Sequence, residues 1–176
     1  MKNIPPINKF ETHIRIANLS ELPDIVAIYN QAVPTRRSTA NTIPWTVEGR
    51  TPWFIEHTPD KHPIYVAEID GLVAGWCSLS AYRPGRLALR FTAEISYYID
   101  SAHQRQGIGL RLIRHVVTVC PSLDIKNIIA VIIDQNEPSR RLLEKLGFNQ
   151  WAYLPRVLDF DGQEFGEFYY GIRVTD

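Results

Sequence analysis

The residues most suited to binding chemistry are Gln-Arg-Gln-Gly-Ile-Gly at positions 104–109. They lie between a run typical of a β-strand and a strongly amphipathic run typical of an α-helix. Two glycines at such a junction allow several backbone N–H groups to point at one place, which the positive end of the following helix also faces. The loop is therefore suited to a pyrophosphate. A glycine pair before a helix is also common without any ligand, and neither G-x-G-x-x-G nor G-x-x-x-x-G-K-[ST] is present.

A second candidate for chemistry is Glu94, which lies in an alternating run. On one face of the predicted strand it is accompanied by Thr92, Ser96 and Tyr98, whereas the opposite face is apolar. A carboxylate at this position can act as a general base if the strand lines a cleft. On periodicity alone, a solvated glutamate on an exposed strand face is the more frequent outcome, so both interpretations stay open at this point.

The other reactive side chains show no spacing typical of a metal site or a nucleophile. The five histidines are scattered, and Cys77 and Cys120 are far apart in the chain. We therefore expect no bound metal and two buried free thiols. Such thiols are typical of a reducing compartment, which makes the cytoplasm the default location.

The charge balance gives no sign that the partner is a charged polymer or surface, although it does not exclude a local basic patch. Lysine plus arginine and aspartate plus glutamate each number 19, so the formal net charge is zero. This balance gives no support for binding nucleic acid or a membrane surface, and no apolar run approaches the roughly 18 residues of a membrane-spanning helix. Residues 1–12 lack the apolar core of a signal peptide. They are expected to form a flexible N-terminal extension before one domain at 13–176.

The elements that must position these residues follow from hydrophobic periodicity and turn signals. Strands are predicted at 13–17, 64–69, 72–80, 89–99, 128–133, 150–160 and 165–174. Helices are predicted near 22–29, 53–57, 108–120 and 138–146. Residues 34–52 show no clear period, and a segment of that length is expected to have a task such as covering a site.

This order predicts a mixed α/β fold with helices on both faces of one sheet. In the middle of this order, a strand is followed by the pattern Q-x-x-G-x-G and then by a helix. This arrangement resembles the coenzyme A pyrophosphate loop of the Gcn5-related N-acetyltransferases, the GNAT superfamily. The resemblance covers roughly residues 13–174. It implies the GNAT acyltransferase fold, with a mixed, mostly antiparallel central sheet of about six or seven strands.

Within this superfamily the chain is most similar to the phosphinothricin and methionine-sulfone acetyltransferase group. The similarity is carried by Ile28-Tyr29-Asn30, Val66-Ala67-Glu68, Tyr82-Arg83-Pro84, Thr92-Ala93-Glu94-Ile95-Ser96, Asn136-x-x-Ser139 and Glu144-Lys145-Leu146-Gly147-Phe148. It implies an enzyme that moves acetyl from acetyl-CoA to the α-amine of a small amino-acid-like substrate. Phosphinothricin, methionine sulfone and methionine sulfoximine are the implied candidates.

The resemblance also assigns residues to the coenzyme. Those expected around the pyrophosphate are Gln104, Arg105, Gln106, Gly107, Ile108 and Gly109. Those expected along the acetyl-pantetheine arm are Tyr97, Tyr98, Ile99, Asn136 and Ser139. The family often has Gly or Arg where this chain has Arg105 and Gln106, which is a modest departure. For Asn136 a plain helix N-cap is nearly as good an interpretation, and the Tyr97 side chain is expected to be a core aromatic.

The resemblance makes Glu94 the general base, because the group's proposed base is a Glu in the same T-x-E-x-S context. Arg83 and Arg90 match arginines around the group's substrate pocket, where a guanidinium suits carboxylate, phosphinate or sulfonyl oxygens. A solvated surface role is the alternative for each. Many GNAT enzymes have a Tyr that protonates the departing thiolate at the position of Leu143. Leucine cannot donate a proton, so Tyr98 is nominated as a substitute acid.

Other functions stay open from the sequence. The acceptor could be a protein N-terminus or another amine such as an aminoglycoside, and a coenzyme A-binding regulatory module without turnover is the alternative outside the enzymes. The family often dimerises, so a homodimer is expected. Its interface could use the aromatic C-terminal strand at 165–170.

Overall fold

The computed structural model describes residues 12–176. The N-terminal extension predicted at 1–12 therefore lies, except for Thr12, outside the described residues. The strands are β1 (His13–Ile16), β2 (Ile64–Ile69), β3 (Leu72–Ala81), β4 (Thr92–Ile99), β5 (Asn127–Ile133), β6 (Asn149–Phe160) and β7 (Gln163–Arg173). The α-helices are α1 (Leu22–Ala32), α2 (Val47–Glu56), α3 (Ile108–Val119) and α4 (Glu137–Lys145).

All seven strands form one sheet in the order β1-β2-β3-β4-β5-β7-β6. Every neighbouring pair is antiparallel except β4 and β5. The predicted mixed, mostly antiparallel sheet is thus confirmed. The hairpins at Asp70-Gly71 and Asp161-Gly162 are also confirmed, and in both turns each central residue has positive φ, as type I′ turns require.

The parallel pairing in the middle of the sheet is short. β4 pairs with β5 only along Thr92–Glu94 and Asn127–Ile129, whereas β5 continues beside β7 until Ile133 lies opposite Glu167. Beyond Glu94 the two strands therefore separate. The separation leaves a gap at the C-terminal ends of two central strands, which is where open α/β sheets bind ligands.

Two apolar cores cover the two faces of the sheet, as predicted. On one face, α3 and α4 pack over the strands, with Leu112, Ile113 and Leu143 fully buried. On the other face, α1 packs through Ile25 over Val66 and Trp76. No helix among residues 12–176 is long and apolar enough to cross a membrane.

Two element boundaries differ from the sequence-based predictions. Helix α2 begins at Val47, not near residue 53, because Thr46 caps it by accepting a hydrogen bond from the backbone N–H of Gly49 (3.0 Å). The helix continues through Pro52 to Glu56. Strand β4 begins at Thr92, not at residue 89, because Leu87–Leu89 turn into a 3₁₀-helix.

Candidate active site

A groove of about 990 Å³ opens where β4 and β5 separate. It runs from the sheet to the N-terminus of α3 and the first turn of α4. Of the eleven residues predicted to bind the coenzyme, ten line it: Tyr97, Tyr98, Ile99, Gln104, Arg105, Gly107, Ile108, Gly109, Asn136 and Ser139. Gln106 does not line the groove, and its side-chain amide instead donates to the carbonyl of Ala102 (3.3 Å).

The loop at the end of this groove presents backbone donors. Gly107 is the N-cap of α3 with φ 78°, in the left-handed region. The first helical hydrogen bond runs from Arg111 N to Gly107 O (3.1 Å). The N–H groups of Ile108, Gly109 and Leu110 therefore have no acceptor within the helix, and the helix dipole adds to their positive potential. This arrangement can hold a pyrophosphate.

The wall of the groove offers further donors and acceptors. The backbone of β4 beyond Glu94 has no ladder partner in β5, so its groups on that side are available to an extended amide chain. Asn136 serves two roles at once. Its Oδ1 accepts from Ser139 N (3.3 Å) as a helix cap, and its Nδ2 donates to Ser38 Oγ (3.3 Å) across the groove.

A smaller cavity of about 240 Å³ lies on the α1 and α2 side of the sheet. Its walls combine aromatic, hydroxyl and charged side chains: Tyr29, Trp45, Arg50, Trp53, Trp76, Ser78, Ser80, Glu94, Ser96 and Tyr98. The segment 34–52, expected to cover a site, contributes to both spaces through Trp45, Arg50 and residues 37–40.

The two spaces meet at one face of β4. Glu94, Ser96 and Tyr98 line both the groove and the cavity. These are alternate residues of the strand, as the periodicity predicted. A molecule in the cavity and a molecule in the groove would therefore contact each other beside Glu94.

Glu94 is half-buried between these spaces and does not lie on an open strand face. Burial raises the pKa of its carboxyl, and the charge of Glu167 on β7 raises the pKa further. Burial also raises the pKa of Glu167, which lines the groove. The sequence analysis missed Glu167, because only the pairing of β5 with β7 brings residue 167 to this gap.

Arg83 and Arg90 line neither space. Both side chains are exposed. The Arg83 guanidinium lies 5.4 Å from the centroid of the Tyr82 ring. Arg90 lies over Phe91 (4.1 Å) and donates to the carbonyl of Leu87 (3.1 Å). Their predicted role at the substrate stays a prediction. Arg50, on α2, lines the cavity instead. The sequence analysis did not identify Arg50, because it did not predict that α2 begins at Val47.

The two tyrosines on β4 point to opposite faces of the sheet. Tyr98 donates its hydroxyl hydrogen to the carbonyl of Ser38 (3.1 Å). Tyr97 packs against the α3 and α4 core, as expected of a core aromatic. Its hydroxyl is buried without a full hydrogen bond to any residue in 12–176, although Ser139 approaches it from α4. One helical turn from Ser139, Leu143 is completely buried.

No cluster that could bind a metal ion occurs among the described residues. Cys77 and Cys120 are free, buried thiols on the α3 and α4 side of the sheet. Burial raises the pKa of both thiols, so neither is activated as a nucleophile.

The fold, the loop and the joined spaces fit an acetyl-CoA-dependent N-acetyltransferase, and the relatives of the chain identify it as one. A family model described as "Acetyltransferase (GNAT) family" matches residues 25–148, and the chain belongs to that family. This confirms the resemblance found in the sequence.

Curated relatives and solved structures agree with this assignment. YwnH of Bacillus subtilis (strain 168) is 40% identical over 153 residues, which cover 86% of this chain and 93% of YwnH. The L-methionine sulfoximine/L-methionine sulfone acetyltransferase of Pseudomonas paraeruginosa is 32% identical over 154 residues, 87% of each chain. The phosphinothricin acetyltransferase of Sinorhizobium meliloti, solved in complex with AcCoA, superposes with a TM-score of 0.86 at 27% identity. That superposition covers 92% of this chain and 88% of the other.

Proposed function

We propose that the protein transfers acetyl from acetyl-CoA directly to the α-amine of a small amino-acid-like substrate, with Glu94 as general base. Phosphinothricin, methionine sulfone and methionine sulfoximine are the leading candidates, because relatives named for these substrates match most of the chain. The observation that carries the proposal is the position of Glu94 where the groove and the cavity meet.

The groove fits acetyl-CoA in three respects. The N-terminus of α3 supplies donors for the pyrophosphate. The unpaired edge of β4 offers backbone groups to the amides of the pantetheine arm. Asn136 and Ser139 line the same wall. When bound, acetyl-CoA supplies an acetyl group activated as a thioester.

Glu94 has the properties required of the base. An α-amine arrives mostly as ammonium, which cannot attack a thioester until a proton leaves. The Glu94 carboxylate lies in the space that the amine would occupy, and its raised pKa makes it a stronger base than an exposed glutamate. A backbone N–H of the free β4 edge can stabilise the developing negative charge on the carbonyl oxygen. The inert thiols support direct attack without an acyl-enzyme.

The proposed function is tested by following CoA release from acetyl-CoA with a panel of acceptors. The panel contains free amino acids, methionine sulfone, methionine sulfoximine, phosphinothricin, peptides with free N-termini and an aminoglycoside. We expect turnover with at least one free amino acid or analogue and N-acetylation of its α-amine by mass spectrometry. Turnover with peptides alone would favour an N-terminal acetyltransferase. Binding of acetyl-CoA without turnover on any acceptor would favour a regulatory module.

The role of Arg83 and Arg90 is tested with charged and neutral acceptors. If either guanidinium orients the substrate, its replacement by alanine raises KM for a free amino acid more than KM for the corresponding amide. Steady-state kinetics on both acceptors provide the measurement. Equal effects on the two acceptors would assign these exposed arginines to the surface structure.

Protonation of the departing thiolate is tested at Tyr98 and Tyr97. If Tyr98 is the acid, Tyr98→Phe slows single-turnover acetyl transfer, and Tyr97→Phe is the matched comparison on the same strand. A slower transfer in Tyr97→Phe alone would move the role to the buried hydroxyl beside Ser139. Unchanged rates in both variants would show that the thiolate leaves unassisted, which its modest basicity permits.

Leu143 is expected to serve stability and not the chemistry. Because its side chain is completely buried, Leu143→Ala should lower the free energy of unfolding by about 2–5 kcal/mol. Denaturant unfolding gives this value. The single-turnover rate of the folded fraction should stay close to that of the wild type, and a large loss there would contradict a purely structural role.

We also propose a homodimer that uses strand β6. This strand lies at the edge of the sheet and exposes Trp151 (49%), Tyr153 (43%), Leu154 (38%) and Val157 (51%). An exposed apolar edge strand is prone to pair with another strand or sheet. Light scattering should give a molar mass twice that of one chain for the wild type, and a molar mass equal to that of one chain for Val157→Glu. A monomeric wild type would refute the proposal.

We also propose that the protein is cytoplasmic, because its two cysteines are free thiols.

A further inference from the structure

Arg50 is held in a three-layer stack at the cavity. Its guanidinium carbon lies 3.4 Å from the centroid of the Trp45 ring. The Trp45 ring also lies 3.3 Å from Tyr29, nearly parallel to it at 10°. Two groups at almost the same height cannot share one face of a ring, so Trp45 is sandwiched between Tyr29 and Arg50. Stacking fixes the plane of the guanidinium and leaves its N–H donors free at the edges.

The start of α2 explains how this stack forms without any ligand. Thr46 is the N-cap, so Trp45 precedes the cap and Arg50 is the fourth helical residue. These are the two positions that contact each other in a hydrophobic staple. A purely structural role for Arg50 would therefore account for its contact with Trp45. It would not explain why the charged guanidinium has no salt-bridge partner within residues 12–176.

The charge of Arg50 has no partner in the described part of the chain. None of the salt bridges within residues 12–176 includes it. Partial burial removes some of the hydration of the guanidinium and lowers its pKa. Trp45 beside it has a buried indole N–H that also has no acceptor in residues 12–176. Partly desolvated donors without acceptors are costly unless a ligand supplies the acceptor.

The charges of the cavity match those of a free amino acid. Arg50 and Glu94 line the same space of about 240 Å³. One cationic and one anionic side chain complement the carboxylate and the ammonium group of a zwitterion. With the ammonium at Glu94, where the groove opens, the carboxylate is left for the guanidinium.

We propose that Arg50 is the residue that binds the α-carboxylate of the acceptor, through the N–H edge of its stacked guanidinium. This inference rests on the proposed function, and it narrows the acceptor to molecules that carry a carboxylate beside the reacting amine. A protein N-terminus does not qualify, because its first carboxyl is already in a peptide bond. Arg50 then determines specificity and Glu94 performs the proton transfer.

The experiment compares two acceptors that differ only at the carboxyl: L-methionine sulfone and its primary amide. The variant Arg50→Met keeps a side chain that can pack on Trp45 but removes the charge. Arg50→Lys keeps the charge without the planar fork. The control is Arg114→Met, which removes a positive charge from an exposed position of α3 that lines neither space.

The wild type should prefer the acid to the amide. Arg50→Met should lower kcat/KM for the acid by about tenfold or more, mainly through KM, since charge-assisted hydrogen bonds are lost. Its kcat/KM for the amide should stay near the wild-type value. Arg50→Lys should retain part of the preference for the acid, and Arg114→Met should retain all of it. Calorimetry with acetyl-CoA verifies that each variant is folded and binds the coenzyme.

The outcomes distinguish a failure of carboxylate binding by Arg50, called the Arg50 anchor, from a failure of the proposed function. If the wild type acetylates neither acceptor nor any other free amino acid, the proposed function fails and the anchor fails with it. If the wild type acetylates both acceptors and Arg50→Met affects them equally, only the anchor is refuted. The same holds if Arg83→Ala or Arg90→Ala abolishes the preference for the acid while Arg50→Met preserves it. If Arg50→Met does not fold, Arg50→Lys decides the question. A preference for the acid and a KM for the acid equal to those of the wild type would then refute the proposal that the Arg50 guanidinium binds the carboxylate.

Discussion

Replacement of Glu94 by glutamine should lower kcat/KM by roughly 10²-fold or more, while the affinity for acetyl-CoA changes little. Glutamine has nearly the same shape as glutamate but cannot accept a proton from an ammonium group. Initial rates and calorimetry with acetyl-CoA provide the two measurements. Near-full turnover of the variant across the pH range would show that Glu94 is a structural residue of the cavity.

The pH dependence adds a second test. The raised pKa of Glu94 predicts that wild-type kcat/KM falls on acidification at a higher pH than the ordinary glutamate value of about 4.3. Glu94→Gln should lack this limb. Glu167→Gln should move the limb to lower pH, because the charge of Glu167 is the smaller of the two causes that raise the pKa of Glu94.

The same Glu94→Gln substitution should raise the free energy of unfolding near neutral pH although it lowers activity. Because the folded state raises the pKa of Glu94, the protonated form is favoured, and ionisation at higher pH costs stability. The wild type should therefore lose stability relative to Glu94→Gln as the pH rises through the raised pKa. Thermal unfolding at pH 7 should show a higher Tm for the variant, and this difference should shrink below pH of about 4. A variant that is less stable at every pH would contradict the burial of an ionised carboxylate.

Replacement of Gly107 by valine should weaken acetyl-CoA binding by more than about tenfold, because the proposed hydrogen bonds to the pyrophosphate depend on this backbone position. Gly107 has φ 78°, which a β-branched residue strongly disfavours. A Cβ atom there would come no closer than 3.8 Å to the protein, at Arg111 Nη2. A Cβ atom therefore causes no clash with the protein, and the strain at positive φ lowers stability. The loss of affinity would come from the altered backbone of the loop.

A matched control separates backbone strain from loss of the site. Gly71 in the β2–β3 hairpin has φ 79°, and a Cβ there meets nothing within 4 Å. Gly71→Val should lower stability to a similar extent as Gly107→Val but leave acetyl-CoA affinity unchanged. Calorimetry on both folded variants provides the comparison. Unchanged affinity in Gly107→Val would remove the 104–109 loop from the coenzyme site.

The parts of the site that could be predicted from the sequence depend on local patterns. Glu94 was placed on the correct face of β4 by simple alternation, and the loop at 104–109 by its glycines and the periodic helix after it. Both signals lie within one or two adjacent elements. They need no knowledge of which strands become neighbours.

The parts that could not be predicted depend on capping and on distant pairing. Pro52 and the missing apolar period concealed α2, which begins after the N-cap Thr46. Without α2, Arg50 is an ordinary charged residue in an irregular segment. Glu167 enters the site only because β7 lies beside β5. The early end of the β4–β5 ladder, which opens the groove, has no signature in either strand alone.

The distribution of the indole rings gives the protein its own optical probes. Of its four tryptophans, Trp45, Trp53 and Trp76 line the cavity of about 240 Å³, and Trp151 lies on the exposed edge strand. Intrinsic fluorescence should therefore report mainly on the surroundings of this cavity, where we propose that the acceptor binds. Titration of a Trp151→Phe variant would follow acceptor binding without turnover, even for molecules that are never acetylated. The difference between the fluorescence of the wild type and that of Trp151→Phe isolates the indole on β6, and its dependence on protein concentration would report self-association.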